Sequence, residues 1–306
     1  MRAIAIQELG TRPALIDLPQ RDPEPGEIVV EVHGSSVNGF DIAVLSGWIR
    51  DFMEYRFPVV PGKDFAGTVV AVGPESAWAV GDAVFGVVMT PYVGSDGAFA
   101  DYVTVGEASG VAPVPPGLDL AVAGALGLAG TAAVNALDAL NLKAGQTLLV
   151  AGATGGVGAI AVQYAARTGV RVVATARPGE EAALMRELGA EVTVDYSADV
   201  VAEVRAAAPE GLDAVLHLAD DPVRLCDLLA PGGCLASTLM FGPDQHPAAV
   251  SVIANPTRAT LDRLAADVLA GRLRLPISRT YDLAEAPQAL EDFTGGTLGK
   301  FAVRIR

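Results

Sequence analysis

The sequence predicts an α/β fold of two domains, in which a β-rich domain surrounds a domain of alternating strands and helices. Three observations lead to this prediction. Residues 1–110 contain short segments of alternating apolar and polar residues, separated by turn signals. From residue 111 onward, strand-like and helix-like segments alternate at the spacing of βαβ units. A glycine-rich turn joins one of these strands to the next helix at residues 151–158.

The composition is that of a globular protein and narrows the range of functions. The 306 residues, 51% hydrophobic and 19% charged, suffice for two domains with separate cores. A net charge of −15 argues against a general nucleic-acid binder, because phosphate binding needs a basic surface. Two cysteines, Cys226 and Cys234, favour a reducing cytoplasm over a disulfide scaffold.

No targeting or membrane segment is expected from the sequence. The N-terminal ten residues alternate like a strand and do not have the pattern of a signal peptide. The longest run of small apolar residues, 120–140, contains glycines, Asn135 and Asp138. We interpret this run as a buried helix and turn, and not as a membrane span.

The first 110 residues predict a compact β-domain. Strands are expected at residues 27–37, 65–73, 82–88 and 97–105. Their regular spacing is typical of a barrel or a sandwich. The prolines of residues 111–120 indicate a connection to the second domain.

The second domain predicts a parallel sheet covered by helices on both faces. Strands are expected at residues 147–153, 170–176, 191–196, 213–219, 233–240 and 249–254. After them, residues 257–273 have a helical pattern that Gly271 ends. The predicted buried face of this helix consists of Leu261, Leu264, Val268 and Leu269. The tail, residues 277–306, predicts one helix and a closing strand.

The glycine turn has the features of a phosphate site. Glycines permit a tight turn and a close approach of a pyrophosphate, and the helix that follows presents unpaired N–H groups. Ala153 replaces the first glycine of the usual G-x-G-x-x-G pattern, so a turn without a ligand is the alternative. The βαβ context favours a cofactor. The predicted contacts are Ala153, Thr154, Gly155, Gly156 and Val157.

Motifs along nearly the whole chain resemble the medium-chain dehydrogenase/reductase superfamily, and most of all its zinc-free quinone oxidoreductase branch, related to zeta-crystallin. The matching segments are residues 36–41, 58–73, 97–105, 126–137, 151–165, 188–196 and 299–305. The resemblance implies a Rossmann doubly wound parallel sheet, residues 120–254, inserted into a β-rich GroES-like catalytic domain. Residues 1–119 and 255–306 would form that catalytic domain, with the active site in the cleft.

A catalytic metal is not expected. Zinc needs three or four N, S or O donors that converge on one point. Where zinc-dependent relatives have a cysteine ligand, this chain has Asn38, and Lys63-Asp64 replaces their His-Glu pair. An ammonium at the histidine position would repel the cation, so alcohol oxidation of the zinc type is disfavoured.

The end of the second parallel strand favours NADP(H). NAD-binding folds usually place an acid there for the ribose 2′-hydroxyl, whereas Arg suits a 2′-phosphate. This strand ends Thr175-Ala176-Arg177, with no acid before Glu180. The resemblance places Tyr196 near the same phosphate, but Glu181 stands where NADPH-preferring relatives often have Lys. The alternatives are a solvated loop charge for Arg177 and a rim aromatic for Tyr196.

The resemblance also brings four other residues to the cofactor: Thr131, Ala219, Ser237 and Phe241. The last three lie at or after predicted strands, and ligands bind at the carboxyl ends of parallel strands. For Thr131, the alternative is a helix cap.

Catalytic residues are harder to assign from the sequence. The resemblance places Asn38 near the nicotinamide, where its amide donates to a developing oxyanion or holds the carboxamide; the alternative is a turn-closing Asn. The proton comes from water, a ribose hydroxyl or Tyr55.

Four aromatic residues either line an apolar substrate cleft or pack within the β-domain: Trp48, Phe52, Tyr55 and Tyr92. Lys63 is interpreted as an exposed or salt-bridged loop lysine.

The predicted function is NADPH-dependent, zinc-independent transfer of hydride to quinones or α,β-unsaturated carbonyls, which are small-molecule electrophiles. The alternatives are a zinc-free alcohol/aldehyde oxidoreductase and a non-catalytic NADPH-binding sensor. The family commonly forms homodimers through sheet edges, for which residues 234–240 and 249–254 are apolar enough. A covered edge in a monomer is the alternative.

Overall fold

A computed structural model describes residues 1–108 and 110–306, which divide into two compact units. The first unit contains Met1–Leu128, Pro256–Arg272 and Ile277–Arg306, and the second contains Ala129–Asn255 and Leu273–Pro276. The sequence places the domain boundary between residues 119 and 120, at the start of a helix. The two units divide inside that helix, after Leu128.

Strands and helices occur along the whole chain. The strands are β1 (Arg2–Ala5), β2 (Ala14–Asp17), β3 (Glu27–Ser36), β4 (Glu54–Tyr55), β5 (Asp64–Val72), β6 (Ala83–Val87), β7 (Tyr92–Val93), β8 (Tyr102–Gly106), β9 (Val111–Pro113), β10 (Thr147–Ala151), β11 (Arg171–Thr175), β12 (Val192–Val194), β13 (Leu212–His217), β14 (Leu229–Ser237), β15 (Ala249–Ser251), β16 (Ile277–Asp282) and β17 (Lys300–Arg304). The helices are α1 (Gly39–Leu45), α2 (Leu120–Leu140), α3 (Gly156–Arg167), α4 (Glu180–Glu187), α5 (Val200–Ala207), α6 (Pro222–Cys226), α7 (Arg258–Leu269) and α8 (Ala286–Phe293), with a 3₁₀ turn at Leu283–Glu285.

A seven-stranded sheet is the centre of the first unit. Its order is β16-β17-β3-β5-β6-β9, and β8 also pairs with β3. The long strand β3 therefore has β5 on one side and, along different parts of its length, β8 and β17 on the other. The core of this unit includes the fully buried Phe65 and Phe99, and Phe301 from the C-terminal strand. Ile4, near the N-terminus, is fully buried in the same core, so both ends of the chain contribute to it.

The second unit is a six-stranded parallel sheet in the order β12-β11-β10-β13-β14-β15. The chain moves outward from β10 to β12, then returns to the other side of β10 with β13. This confirms the predicted α/β fold with a doubly wound parallel sheet. The strands are continuous apolar runs, as expected for strands buried on both faces; Leu148, Leu149 and Val150 are all fully buried.

Several elements differ from the sequence prediction. Residues 111–113, expected in the connection, form the edge strand β9, where proline is tolerated. The tail contains a second strand, β16, parallel to β17. Leu269 is 44% exposed, so it lies off the buried face of α7, which includes Asp267 instead.

The apolar run at residues 120–140 is one continuous helix, and not a helix and a turn. By length and composition alone, α2 is long and apolar enough to cross a membrane, but 67% of its window is buried inside the protein. Core helices commonly combine such length with such burial. Gly124 and Gly127 do not break it, because they lie where its backbone approaches that of Gly34 and Gly86.

Candidate active site

Three strand ends of the second unit meet at the glycine turn. Gly152, which follows β10, has a left-handed φ of +88°. Its N–H donates to the hydroxyl of Thr175 at the end of β11, at 2.9 Å. A Cβ on Gly152 would lie 3.0 Å from the Leu218 side chain and 3.2 Å from that of Ala219, which follow β13. The predicted residue Thr175 therefore contacts the turn, and the predicted residue Ala219 lies next to it.

The first turn of α3 is open to an anion. Its N-cap, Gly155, makes no side-chain hydrogen bond to the helix, and the first turn contains no acidic residue. The first N–H groups of a helix lack acceptors within the helix, and the dipole makes this end positive. Gly158 keeps the helix close, because a Cβ there would lie 2.5 Å from the Cα of Ala153 and from the Gly152 oxygen. This is the backbone cradle that a dinucleotide phosphate requires.

Thr131 provides independent support for a bound group. It lies in the interior of α2, so the helix-cap alternative is wrong. The side chain is fully buried, and its hydroxyl has no hydrogen-bond partner in the described part of the chain. An unsatisfied buried polar group costs about 1–3 kcal/mol, which a ligand hydrogen bond would offset. The residues of this unit thus fit a dinucleotide.

Arg177 and Tyr196 come together, but around a carboxylate. The Arg177 guanidinium pairs with Glu181 at 2.5 Å, and the Arg177 backbone N–H donates to the same carboxylate at 2.8 Å. The Tyr196 hydroxyl also donates to Glu181, at 3.1 Å. Burial opposes the ionisation of Glu181, but these hydrogen bonds hold its pKa below the ordinary value. Arg177 is 58% exposed, yet it is not simply a solvated loop charge.

His217 connects two other predicted residues. Its Nδ1 lies 2.9 Å from the hydroxyl of Ser237, on the neighbouring strand β14. Its ring meets that of Phe241 edge-on, with centroids 6.3 Å apart. Burial lowers the pKa of His217, which favours the neutral imidazole. Ser237 and Phe241 therefore belong to one buried cluster at the carboxyl ends of β13 and β14.

A buried lysine joins a cluster of buried polar residues in the first unit. We call this cluster, which consists of Asn38, Asp41, Asp64 and Lys300, the polar centre. Lys300, at the start of β17, is 3% exposed, and its Nζ donates to the Val37 oxygen at 3.1 Å and to Asn38 Oδ1 at 2.5 Å. The same Nζ lies 3.5 Å from Asp64 Oδ2. Burial lowers the pKa of Lys300 despite the attraction of Asp64 and Asp41. Sequence reasoning did not find this residue.

The amide of Asn38 is fully occupied. Its Nδ2 donates to the Ser36 oxygen at 3.2 Å and to Asp64 Oδ2 at 2.9 Å, while its Oδ1 accepts from Lys300. Its backbone N–H donates to Asp41, which caps the first turn of α1. Both amide hydrogens are thus used within the protein, so the predicted oxyanion-donor role of Asn38 does not fit this arrangement.

A pocket lies beside this polar centre, within the first unit. Its apolar wall includes Phe40, Met53 and Val88, and its polar lining includes Lys63 and Tyr92. Lys63 donates from Nζ to the Val88 oxygen, and its ammonium lies 4.8 Å from the centre of the Phe40 ring. Burial lowers the pKa of Lys63 to about 8, although Asp41 and Asp64 attract its charge.

The other predicted aromatic residues do not line this pocket. Trp48 and Phe52 are 55% and 65% exposed, and their rings contact each other. Tyr55 is half-buried, its hydroxyl donates to the Val44 oxygen at 2.7 Å, and burial raises its pKa. Of the four, Tyr92 is the one that reaches the pocket. Over residues 1–108 and 110–306, His, Cys, Asp and Glu form no cluster of three that could hold a metal ion.

Two family profiles match the chain. Residues 24–116 match the family described as "Alcohol dehydrogenase GroES-like domain", and residues 156–262 match "Zinc-binding dehydrogenase". The curated "Mycocerosic acid synthase-like polyketide synthase" of Mycobacterium tuberculosis is 34% identical over 300 residues, which are 88% of this chain. The chain spans only 14% of the length of that relative.

Solved structures match over the full length. The quinone oxidoreductase from Coxiella burnetii is 28% identical, with a TM-score of 0.90 over 100% of this chain and 99% of that one. An alcohol dehydrogenase superfamily protein from Novosphingobium aromaticivorans is 30% identical, with a TM-score of 0.85 over 100% of both chains. The mycobacterial protein Rv1454c, solved with NADPH, is 27% identical, with a TM-score of 0.84 over 100% of both chains.

Proposed function

The chain belongs to the medium-chain dehydrogenase/reductase superfamily, in its zinc-free quinone oxidoreductase branch, and from this premise we propose that it is an NADPH-dependent reductase of quinones or α,β-unsaturated carbonyls. The observation that carries the proposal is the phosphate cradle at Gly152–Gly158, with its uncapped helix and excluded Cβ atoms. Nicotinamide, when bound, supplies the hydride. Electron-poor double bonds and quinoid rings accept a hydride without a metal ion to polarise them.

Different residues of the second unit would bind different parts of the cofactor. The backbone of residues 153–157 would hold the pyrophosphate, and Thr175 fixes that backbone through Gly152. Thr131 would give its unpaired hydroxyl to a polar atom of the cofactor. Ala219, Ser237 and Phe241 would border it at the strand ends.

The preference for NADPH depends on Arg177. No carboxylate directly follows β11, and Rv1454c is a related protein solved with NADPH. However, a 2′-phosphate must compete with Glu181 for the guanidinium. NADPH use is therefore proposed with Arg177 and Tyr196 as the phosphate contacts, and Glu181 as the residue that limits the preference.

The ratio of kcat/KM for NADPH to kcat/KM for NADH tests this assignment. Arg177→Glu should shift the ratio toward NADH, because a second carboxylate repels the phosphate. Glu181→Gln should shift it several-fold toward NADPH, because the guanidinium loses its internal counter-charge. Equal ratios in all three proteins would reject Arg177 as the phosphate residue.

The reaction is tested by a substrate panel. With NADPH, 1,2-naphthoquinone and a simple enone should both be reduced faster than a simple aldehyde. Reduction of the aldehyde alone would favour the alcohol/aldehyde alternative. Binding of NADPH by calorimetry, with no turnover of any of the three, would favour the sensor.

The proposal includes a cytoplasmic homodimer joined through β15, the last strand of the parallel sheet. Ile253, just after β15, is 80% exposed, which is unusual for a large apolar residue. Light scattering should give twice the mass of the chain. A mass of 31.3 kDa would reject the dimer.

A further inference from the structure

We propose that Lys63 is the residue that stabilises the oxyanion of the substrate in the pocket of the first unit and then gives it a proton. The substrate class rests on the proposed function, whereas the role of Lys63 as an anion site rests on the geometry of the pocket alone. Sequence reasoning interpreted this residue as an ordinary loop lysine, and its position in the structure is different.

The ammonium of Lys63 is placed to serve a ligand. Lys63 lies immediately before β5 and lines the pocket together with Phe40 and Met53. Its hydrogen bond to the Val88 oxygen and the Phe40 ring below it fix its direction. An ammonium has three N–H donors, and within the described chain the Val88 oxygen is the acceptor that Lys63 reaches. Its other donors can therefore serve an oxygen in the pocket.

The carboxylates near Lys63 favour its protonated form, but none of them forms a hydrogen bond with it in the described structure. Asp41 of α1 and Asp64 of β5 attract the ammonium, and Lys300 lies beside Asp64. Both oxygens of Asp41 accept backbone N–H groups, from Asn38 and from Gly62.

The pocket lining also includes Tyr92 and Asp96, whose side chains hydrogen-bond to each other at 3.4 Å. Asp96 also pairs with Arg21 at 3.4 Å. None of the carboxylates that face Lys63 is therefore its hydrogen-bonded partner in the described structure.

These surroundings suit proton transfer near neutral pH. Burial lowers the pKa of Lys63 to about 8, so the group is mostly protonated at pH 7 and is a stronger acid than a lysine in water. General acids work best when their pKa lies near the working pH. The two donors that the sequence predicted within the protein are occupied, because Tyr55 donates to Val44 and both amide hydrogens of Asn38 are used.

The proposed step is a hydride addition followed by a proton transfer. Addition of a hydride to the β-carbon of an enone forms a C–H bond and moves the π electrons onto the carbonyl oxygen. An N–H bond of Lys63 then breaks, its electron pair stays on Nζ, and the proton forms an O–H bond. The enol becomes the ketone in water, and water reprotonates the amine. With a quinone, the same transfer converts the hydroquinone anion into the hydroquinone.

The anion site is tested without cofactor or turnover. The probe is 4-nitrophenol, whose phenolate has its own visible absorption, titrated with pH in the presence of cofactor-free protein. The wild type should bind it and lower its pKa, because the ammonium stabilises the phenolate. Lys63→Arg should lower it too, and Lys63→Met should not. An unbound probe with the wild type, or equal pKa values with the wild type and Lys63→Met, would overturn the proposal.

The proton transfer is tested by the pH profile of enone reduction. In the wild type, kcat/KM should fall as the pH rises through about 8, because the acid form of Lys63 is lost. Lys63→Arg keeps the charge but cannot give up a proton. Its kcat/KM should be lower by about 100-fold and should show no fall between pH 7 and 9. A wild-type profile in Lys63→Arg would exclude Lys63 as the acid.

Two controls keep the test specific. Lys143 is an exposed lysine on the loop before β10, and Lys143→Met should match the wild type in both assays. Lys63→Gln provides a second neutral variant if Lys63→Met does not fold, with circular dichroism as the check. If no enone or quinone is reduced by the wild type, the proposed function fails, while the nitrophenol titration still decides whether Lys63 forms an anion site.

Discussion

Replacement of Lys300 by methionine should destabilise the first unit several times more than a typical exposed substitution does. Lys300 and Asp64 are 3% and 0% exposed, so their ion pair is screened very little by water. Methionine has a similar length and leaves no large cavity. The variant therefore removes the charge and three polar contacts, and retains most of the packing.

The expected loss in the free energy of unfolding follows from the polar groups that the substitution leaves without Lys300. The Val37 oxygen and Asn38 Oδ1 lose a donor, and Asp64 loses the lysine with which it forms an ion pair in the described structure. Removal of one partner from a buried ion pair typically costs about 3–5 kcal/mol. Asp64 still accepts from Ser36 at 2.6 Å and from the Leu128 N–H at 2.7 Å. We expect a loss in the lower part of that range, about 3–4 kcal/mol in the free energy of unfolding.

Urea unfolding followed by tryptophan fluorescence measures this loss in the correct unit. Both tryptophans of the chain, Trp48 and Trp78, lie in the first unit. Lys143→Met, in the second unit, is the control for the lysine-to-methionine exchange itself, and it should change the free energy of unfolding of the first unit by no more than about 0.5 kcal/mol. If Lys300→Met loses less than about 1 kcal/mol, Lys300 does not hold this centre together.

A second variant separates charge from packing. Asp64→Asn removes the anion that Lys300→Met leaves unpaired, so the double variant should be more stable than the sum of the single losses indicates. Strictly additive losses would show that the two side chains do not interact energetically. They would also contradict the ion pair as the cause of the loss.

Two other predictions concern the glycine turn and the titration of Asp41. Gly158→Ala should weaken NADPH binding at least about tenfold by calorimetry, because overpacking by one methyl costs about 1–3 kcal/mol and displaces the helix start. The control is Gly106→Ala, which should bind NADPH normally because Gly106 has open space around it. Equal affinities of Gly158→Ala and the wild type would contradict the close approach of the helix to the turn. Burial raises the pKa of Asp41 to about 6, above its unfolded value, so its protonated form stabilises the first unit below about pH 4 and this contribution is lost as the pH rises through 6. Relative to Asp41→Asn, the wild type should therefore lose up to about 3 kcal/mol of unfolding free energy between pH 4 and pH 7, and a constant difference would refute the buried acid.

The local sequence was sufficient to predict the strands of the parallel sheet, but not the edge strands of the seven-stranded sheet. Strands buried on both faces are apolar throughout, so β10 and its neighbours were recognisable from their residues alone. The tail strand β16 reads ISRTYD, with Tyr281 as its one buried residue. It is a strand because β17 aligns with it, and that pairing cannot be read from its own pattern.

The residues of the candidate site likewise fall into those that the local sequence predicts and those that it does not. The glycine turn is a local motif, and Thr175 and Ala219 follow from the rule for strand ends. The ligand-like environment of Lys63 and the contact of Lys300 with Asn38 depend on residues far apart in the chain, 262 positions in the second case. Glu181 was visible in the sequence as a departure from the family, but its pairing with Arg177 appeared only in the structure.

The rarity of lysine is the signal in the sequence that points to the polar centre of the first unit. The chain has only three lysines among its 21 basic residues, and two of them, Lys63 and Lys300, lie beside buried carboxylates. Arginine does not suit an enclosed position such as that of Lys300, because its planar guanidinium carries five donors, and it cannot act as an acid because it stays charged. Lys300 is enclosed on all sides, whereas Lys63 faces a pocket.

Exchange for arginine should therefore affect the two positions unequally. Lys300→Arg should lower the free energy of unfolding by at least about 1–3 kcal/mol, as expected for an overpacked core with unsatisfied donors. Lys63→Arg should stay within about 1 kcal/mol of the wild type, because the larger group can extend into the pocket. The same urea titration measures both. Equal losses would mean that both lysines are purely structural, and would remove the reason to assign proton transfer to Lys63 alone.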